Sequence, residues 1–326
     1  MAGAPLGTAV RSLVTALQII NDVRSPPDEV AYHRFHDTRW EHGMTTSRKW
    51  LAILVLAATL GLAAPAAGQD PPAHDLLNAT LWTQRSVEFK ATALAAFALA
   101  RIRLDQALAD PSWTGAPREQ GGVYQSLPPA VIVDIDETIL DNSAYQAWML
   151  MKDTTFDPKT WNAYVKTVGS LAVPGALEFV KYADGKGVKV FYLSNRTAEE
   201  EEATRKNLEA LGFPLGKPVD TMLMARKQPD WGSVKGTRRA HVTKSYRVLL
   251  NIGDNFGDFV DEFRGSEAER LKVFEEHRDR WGREWIMIAN PTYGSFESAP
   301  FGHDMKRSNA DRRKAKRNAL DAWPGP

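Results

Sequence analysis

Five short apolar runs set the frame for this chain: VIVDI at 131–135, VKVFYLS at 188–194, DTMLM at 220–224, RVLLNI at 247–252 and WIMIA at 285–289. Apolar residues at helical spacing fill the intervals, at 174–186, 198–211, 233–245 and 266–281. Runs that are apolar almost throughout belong to strands covered on both faces. Their alternation with helices therefore predicts an α/β fold around a parallel sheet. Ligands of such sheets bind beyond the carboxyl ends of the strands. Polar residues of this chain collect where the runs stop.

The first run ends Val133-Asp134-Ile135-Asp136-Glu137-Thr138. A pleated strand would point the two aspartates the same way, although an isolated pair of this kind also reads as turn punctuation. The second run ends Leu193-Ser194-Asn195-Arg196, a hydroxyl and an amide suited to phosphate oxygens, and the fourth ends Gly253-Asp254-Asn255-Phe256-Gly257-Asp258. Between them, Lys235 opens a helical pattern. The set fits phosphoryl transfer through an aspartyl-phosphate. Asp134 is the expected nucleophile. Asp136 is the expected acid toward the leaving oxygen and base toward water. A Mg²⁺ ion, held by Asp134, Asp254 and the backbone carbonyl of Asp136, would neutralise the carboxylates. Lys235 would bind Asp134 and the phosphate, and Ser194 would donate to a phosphate oxygen.

That order of motifs resembles the haloacid dehalogenase (HAD) superfamily. More narrowly, IVDIDETILDNSAY (132–145) with GDNFGDF (253–259) resembles the bacterial class C acid phosphatases, a group that includes lipoprotein 5′-nucleotidases. Trp82-x-Gln84-x-Ser86-x-Glu88-Phe89 and IMIANPTYG (286–294) fit the same family, so the resemblance spans about residues 75 to 300. It implies a HAD-like Rossmannoid parallel sheet with helices on both faces, a small helical cap, Mg²⁺ dependence and an acidic optimum. It places the family's nucleophile, acid/base, phosphate hydroxyl, lysine and metal carboxylate on Asp134, Asp136, Ser194, Lys235 and Asp254. Asp258 takes the second acidic position, in support of the metal. The aspartate at 136 is the phosphatase choice, where dehalogenases lack it and transport ATPases carry threonine. Tyr293, Tyr145 and Trp161 fall where relatives place aromatic rings near substrate, and core packing is the other reading of each. Asn195 is a candidate substrate contact; Arg196 either touches substrate or pairs with a helix carboxylate.

The run LAILVLAATLGLAA (51–64) follows the basic flank MTTSRKW and precedes the small residues Ala64-Pro65-Ala66 and Ala66-Ala67-Gly68. It is short for a membrane span of about 20 residues and suits a cleaved signal peptide. The expected organisation is a leader or mis-assigned start at 1–43, a signal at 44–68, and one domain at 69–326. In that domain a helical part covers about 75–125, including one long helix at 78–109, and 141–173. The core covers about 130–140 and 174–300. No metal site is built from His33, His36 or His42 of the leader.

The chain contains no cysteine, which excludes disulfides, thiolate metal sites, a cysteine nucleophile and the lipid-modified cysteine of the lipoprotein members. A periplasmic or secreted enzyme without a stable membrane anchor is expected. Lys+Arg 41 against Asp+Glu 40 leaves a net charge of +1, no basis for binding a nucleic-acid polymer. The basic stretch 306–317 is expected to be a solvated terminal helix, and Glu199–Glu202 the solvated start of another. His241 and His277 read as surface residues, and the role of His303 is open. The functional expectation is a phosphomonoesterase acting on small phosphomonoesters, including 5′-nucleotides and aryl phosphates. The alternatives are phosphotransfer to an alcohol and a non-catalytic phosphate-binding surface protein.

Overall fold

The computed structural model describes residues 74–216 and 218–326 of the chain. The leader, the apolar run 51–64 and its cleavage sites lie outside the described residues. Among the described residues no helix is long and apolar enough to cross a membrane.

Five strands form one parallel sheet: β1 (Pro129–Val133), β4 (Lys189–Thr197), β5 (Met222–Ala225), β6 (Arg247–Gly253) and β7 (Trp285–Met287). Their order across the sheet is β5-β4-β1-β6-β7. Successive side chains of a strand point to opposite faces, and β1 divides its apolar residues accordingly. Val131 and Val133 enter one core with Val190, Leu250 and Ile252, while Ala130 and Ile132 enter a second with Phe191, Leu193, Leu223 and Val248. The first core is closed by α2 (Val87–Ala109), through Phe89, Phe97, Ala100 and Leu104, and by α5 (Ala176–Gly185), through Phe179, Val180 and Ala183. The second receives Val242 of α7 (Gly236–Thr243). The expected sheet covered on both faces is the observed one.

Two expectations about elements are corrected. The helix expected at 78–109 is two, α1 (Leu77–Arg85) and α2, because Ser86 leaves the helical conformation at φ −76°, ψ 144° and its hydroxyl accepts the Phe89 amide. A serine with this conformation is an N-cap that starts a new helix. The first strand stops at Val133, although the Asp134 amide still donates to the Ile252 carbonyl. The chain then coils, with the Ile139 and Leu140 amides both donating to the Ile135 carbonyl. Asp134 and Asp136 therefore meet through a turn and not across a pleat.

The insert expected at 141–173 contains α3 (Ser143–Met151) and α4 (Pro158–Val165), as well as a small antiparallel pair, β2 (Leu140–Asp141) with β3 (Leu171–Ala172). Tyr145 on α3 packs among Trp148, Phe156, Trp161 and Tyr164, with ring centroids 5.2 to 6.3 Å away. This aromatic cluster holds the insert together as a small cap. Further along come α6 (Glu201–Leu211), α8 (Glu267–Glu276), the short α9 (Ser295–Ser298) and the terminal α10 (Asn309–Asn318).

Candidate active site

The carboxyl ends of β1, β4 and β6 open into a cleft of about 830 Å³ lined by Asp134, Asp136, Asn195, Lys235, Asp254 and Asp258, among others. Asp134 and Lys235 are buried and joined by a hydrogen-bonded ion pair, and a second ion pair of 2.7 Å runs from Lys235 to Asp258. Burial opposes the ammonium charge, but Asp134 and Asp258 outweigh it and hold the Lys235 pKa above its ordinary value. Burial pushes the Asp134 carboxyl up to about 6 against the pull of Lys235, with Asp258 and Asp136 adding to the rise.

Asp254 receives the Thr138 hydroxyl at 3.1 Å and the Asn290 amide at 2.8 Å. Burial, then the charges of Asp258 and Asp134, raise its pKa well above the carboxylate range. One oxygen each of Asp134, Asp254 and Asp258 lies within 4.8 Å of the others, a clustering of three acids found once among the described residues. Three carboxylates against one ammonium leave negative charge that a hard cation would balance, and all the donors are oxygens, the set that Mg²⁺ or Ca²⁺ takes. The donor set therefore fits a divalent cation.

Asp136 is gripped differently. Its Oδ1 accepts hydrogen bonds from Asn142 Nδ2 at 2.9 Å and from Arg196 Nε at 2.9 Å, and Arg196 Nη2 lies 2.8 Å from it as an ion pair. Among the described residues, its Oδ2 has only the Ser194 hydroxyl, at 3.2 Å. Arg196 is 2% exposed and also donates to Thr204 of α6 and to Asn142 Oδ1. The arginine thus pairs with Asp136, a carboxylate at the end of β1 and not the helix carboxylate expected, and it also lines the cleft. Ser194 is fully buried, accepts the Arg196 amide and turns its hydroxyl to Asp136 Oδ2. Asn195 does line the cleft, and its side chain is tied to the Ser233 carbonyl and to Arg238 Nη2.

Of the three aromatic candidates, Tyr145 is 2% exposed at the centre of the cap cluster, and its hydroxyl bonds Thr160 Oγ1 at 2.9 Å. Packing encloses most of this ring, and its remaining surface borders the cleft. Trp161 is half-buried on the cleft wall, with the Arg196 guanidinium 5.5 Å from its ring. Tyr293 also faces the cleft and donates its hydroxyl to Glu137. Glu137 is a buried non-glycine residue at φ 58°, a conformation that costs about 1–3 kcal/mol and persists only where surroundings impose it. The Asn142 amide holds its other oxygen at 3.0 Å. Burial and then Asp136 push its pKa up to about 8.

Several supporting residues were not singled out from the sequence. Thr138, Asn142 and Asn290 sit inside quoted motifs, so proximity to the aspartates was the available signal. Arg238 and Arg239 follow Lys235 on α7 and are almost wholly buried. Arg238 holds the Ser194 and Gly232 carbonyls, and Arg239 holds Glu119, Asp261 and the Asp258 carbonyl. A basic pair on an otherwise ordinary helix gave no hint of this. The terminal α10 is a helix with no buried residue, as expected of a solvated one, but one side of it is docked on the domain. Arg313 and Lys316 form ion pairs with Asp75 at 3.0 and 2.6 Å, Lys316 reaches Glu297 at 3.1 Å, and the helix forms part of the cleft wall.

Known proteins resemble this chain. The chain is 31% identical to the class C acid phosphatase from Bacillus anthracis, solved with tungstate bound, with a TM-score of 0.67 over 76% of this chain and 97% of that one. A second structure of the Bacillus anthracis protein matches with a TM-score of 0.66 at the same identity and coverage. Vegetative storage protein 2 of Arabidopsis thaliana is 27% identical over 41% of this chain and 51% of its own length. The stem 28 kDa glycoprotein of Glycine max is 25% identical over 44% of this chain and 56% of its own. The chain thus spans about half the length of the curated relatives it matches. A family model covers residues 67–296, from before α1 to α9 and through every strand end described above. The chain belongs to the HAD superfamily, subfamily IIIB (acid phosphatase).

Proposed function

We propose that this chain is a Mg²⁺-dependent phosphomonoesterase that works through a phosphorylated Asp134. The observation that carries the reading is the division of labour between two aspartates two residues apart. Asp134 sits with Lys235, Asp254 and Asp258, while Asp136 is held apart by Arg196 and Asn142. Two carboxylates in different surroundings can take different roles.

Asp134, Asp254, Asp258 and the Asp136 carbonyl would hold the cation, which supplies charge neutralisation at the phosphoryl oxygens. Lys235 orients Asp134 and adds a positive charge beside the incoming phosphate. In the first half-reaction an Asp134 oxygen bonds to phosphorus and the ester P–O bond breaks. Asp136 gives its proton to the departing oxygen. With Oδ1 occupied by the Asn142 amide and the Arg196 guanidinium, Oδ2 is the oxygen that carries this proton, and the Ser194 hydroxyl orients it. In the second, Asp136 takes a proton from water as the water oxygen bonds to phosphorus, and the Asp134–phosphorus bond breaks.

The tungstate bound by the Bacillus anthracis relative supports an oxyanion site here. Cleft volume supports small organic phosphomonoesters, since drug-sized ligands occupy pockets of about 300–1,000 Å³. Trp161 and Tyr293 on the wall suit aryl phosphates and 5′-nucleotides. The apolar run 51–64 supports export to the periplasm or medium.

Hydrolysis of p-nitrophenyl phosphate and of a 5′-mononucleotide by the full chain, with Mg²⁺ and then with EDTA, tests the reading. Turnover with Mg²⁺, its loss with EDTA, and its loss in Asp134→Asn are expected. A folded wild-type protein without turnover from acidic to neutral pH would overturn it and leave a phosphate-binding protein.

A further inference from the structure

Cations lining the cleft outside the motif residues are partnered unequally. Arg313 and Lys316 of α10 are engaged with Asp75 and Glu297, contacts that fix the helix against the cleft. Arg312, next to Arg313 on the same wall, bonds only the neutral side chain of Asn309. Arg264, another lining residue, donates to the Ser233 hydroxyl at 2.9 Å and lies over the Phe263 ring. Neither guanidinium has a carboxylate partner among the described residues. Of the three lining carboxylates beyond the motifs, Asp75 and Glu297 are held by the other two cations, which leaves Asp153.

We propose that Arg312, assisted by Arg264, forms an outer anion subsite, so that the preferred substrates are phosphomonoesters whose leaving group carries a second phosphoryl group. This rests on the phosphatase reading and names its substrate class. A guanidinium with neutral partners keeps its full charge and its planar fork of donors for a ligand, and that fork matches phosphate oxygens. The motif residues already account for one phosphoryl group at the strand ends. A cleft of about 830 Å³ leaves room for an organic group and a second anion beyond it. The subsite is also particular to this chain's C-terminal part, since α10 at Asn309–Asn318 lies beyond the residues 67–296 that the family model covers.

Equilibrium binding on the full-length Asp134→Asn protein, with Mg²⁺ present, reads this without depending on turnover. The ligands are adenosine 5′-monophosphate and adenosine 3′,5′-bisphosphate. The bisphosphate is expected to bind about tenfold more tightly, the low end for a charge-assisted hydrogen bond to a partly exposed group. Adding Arg312→Gln is expected to remove most of that advantage. Arg317→Gln, which changes an exposed cation of the same helix away from the cleft, is expected to retain it. Equal affinities for the two ligands, or an advantage that survives Arg312→Gln, would overturn the subsite. An advantage lost equally in Arg317→Gln would assign it to the general charge of the helix and overturn it as well. Failure of the phosphatase reading shows separately, as wild-type protein that binds the ligands without hydrolysing them.

Discussion

Arg196 joins the cleft to the sheet behind it. Three of its nitrogens reach Asp136, Thr204 and Asn142, and its backbone belongs to β4. Removing one partner of a buried ion pair leaves an uncompensated charge and costs roughly 3–5 kcal/mol. Arg196→Lys keeps the charge but not the fork, so Asp136 loses its alignment while the fold has a route to survive. We expect turnover of an alkyl phosphate, which needs the acid, to fall by about 10²-fold. Hydrolysis of p-nitrophenyl phosphate, whose leaving group needs little protonation, should fall much less. Equal losses on both substrates, in protein of wild-type circular dichroism, would instead place Arg196 on the phosphate.

Asp134 and Asp254 were legible as residues because each stands where an apolar run stops, and Asp136 and Asp258 because they follow within four residues. The Arg196 pairing was not. Its partner is 60 positions away, and a lone arginine after a strand offers no periodicity from which to choose among carboxylates. The aromatic candidates divided for a similar reason. Tyr145, Trp161 and Tyr293 all reach the cleft wall, and only packing decides that Tyr145 is almost wholly enclosed while the other two are half-buried.

At the scale of elements, the turn after β6 shows why the strand has to end on glycine. A Cβ on Gly253 would meet the Cβ, Cγ and Oδ2 of Asp258, all far inside van der Waals contact. The turn from Asn255 to Asp258 folds the second carboxylate directly back over the strand end, and the Asn255 amide donates to it at 2.8 Å. Gly253→Ala must therefore push Asp258 away from Lys235 and from the other two acids. We expect the Mg²⁺ concentration for half-maximal activity to rise about tenfold, in the range seen when a metal site's supporting contacts are lost. A metal titration with unchanged midpoint would show that Asp258 serves Lys235 alone.

Element boundaries were harder to read than element types. Apolar spacing runs without interruption from residue 78 to 109 and so describes one helix. The break comes from one serine whose hydroxyl finds the Phe89 amide. For α10, composition pointed to solvent because the segment is rich in charge. Ion pairs to Asp75 and Glu297 provide the docking that its small apolar content does not.

Over the whole molecule, alternation of buried strands and helices was sufficient to foresee a parallel sheet and the edge at which ligands bind. The strand order was not legible. β1 lies between β4 and β6, and local pattern says nothing about which distant strands pair. This order nevertheless makes the site, since it sets the ends of β1, β4 and β6 side by side. Residues distant in sequence, at 134, 196 and 254, thereby meet in one cleft. Cap and terminal helix then bound that cleft, and they are the parts where the sequence read least well.

The central claim is that Asp134 is phosphorylated and Asp136 is needed to release the phosphate. Pre-steady-state hydrolysis of p-nitrophenyl phosphate by Asp136→Asn tests it most directly, because this leaving group can depart without the acid whereas the second step still lacks its base. The account predicts a burst of p-nitrophenolate approaching one equivalent of active sites, followed by slow turnover, with a phosphoryl group on Asp134 in acid-quenched protein. Asp134→Asn should show neither burst nor turnover. Steady hydrolysis by Asp134→Asn, or a phosphoryl group found on another residue, would contradict it.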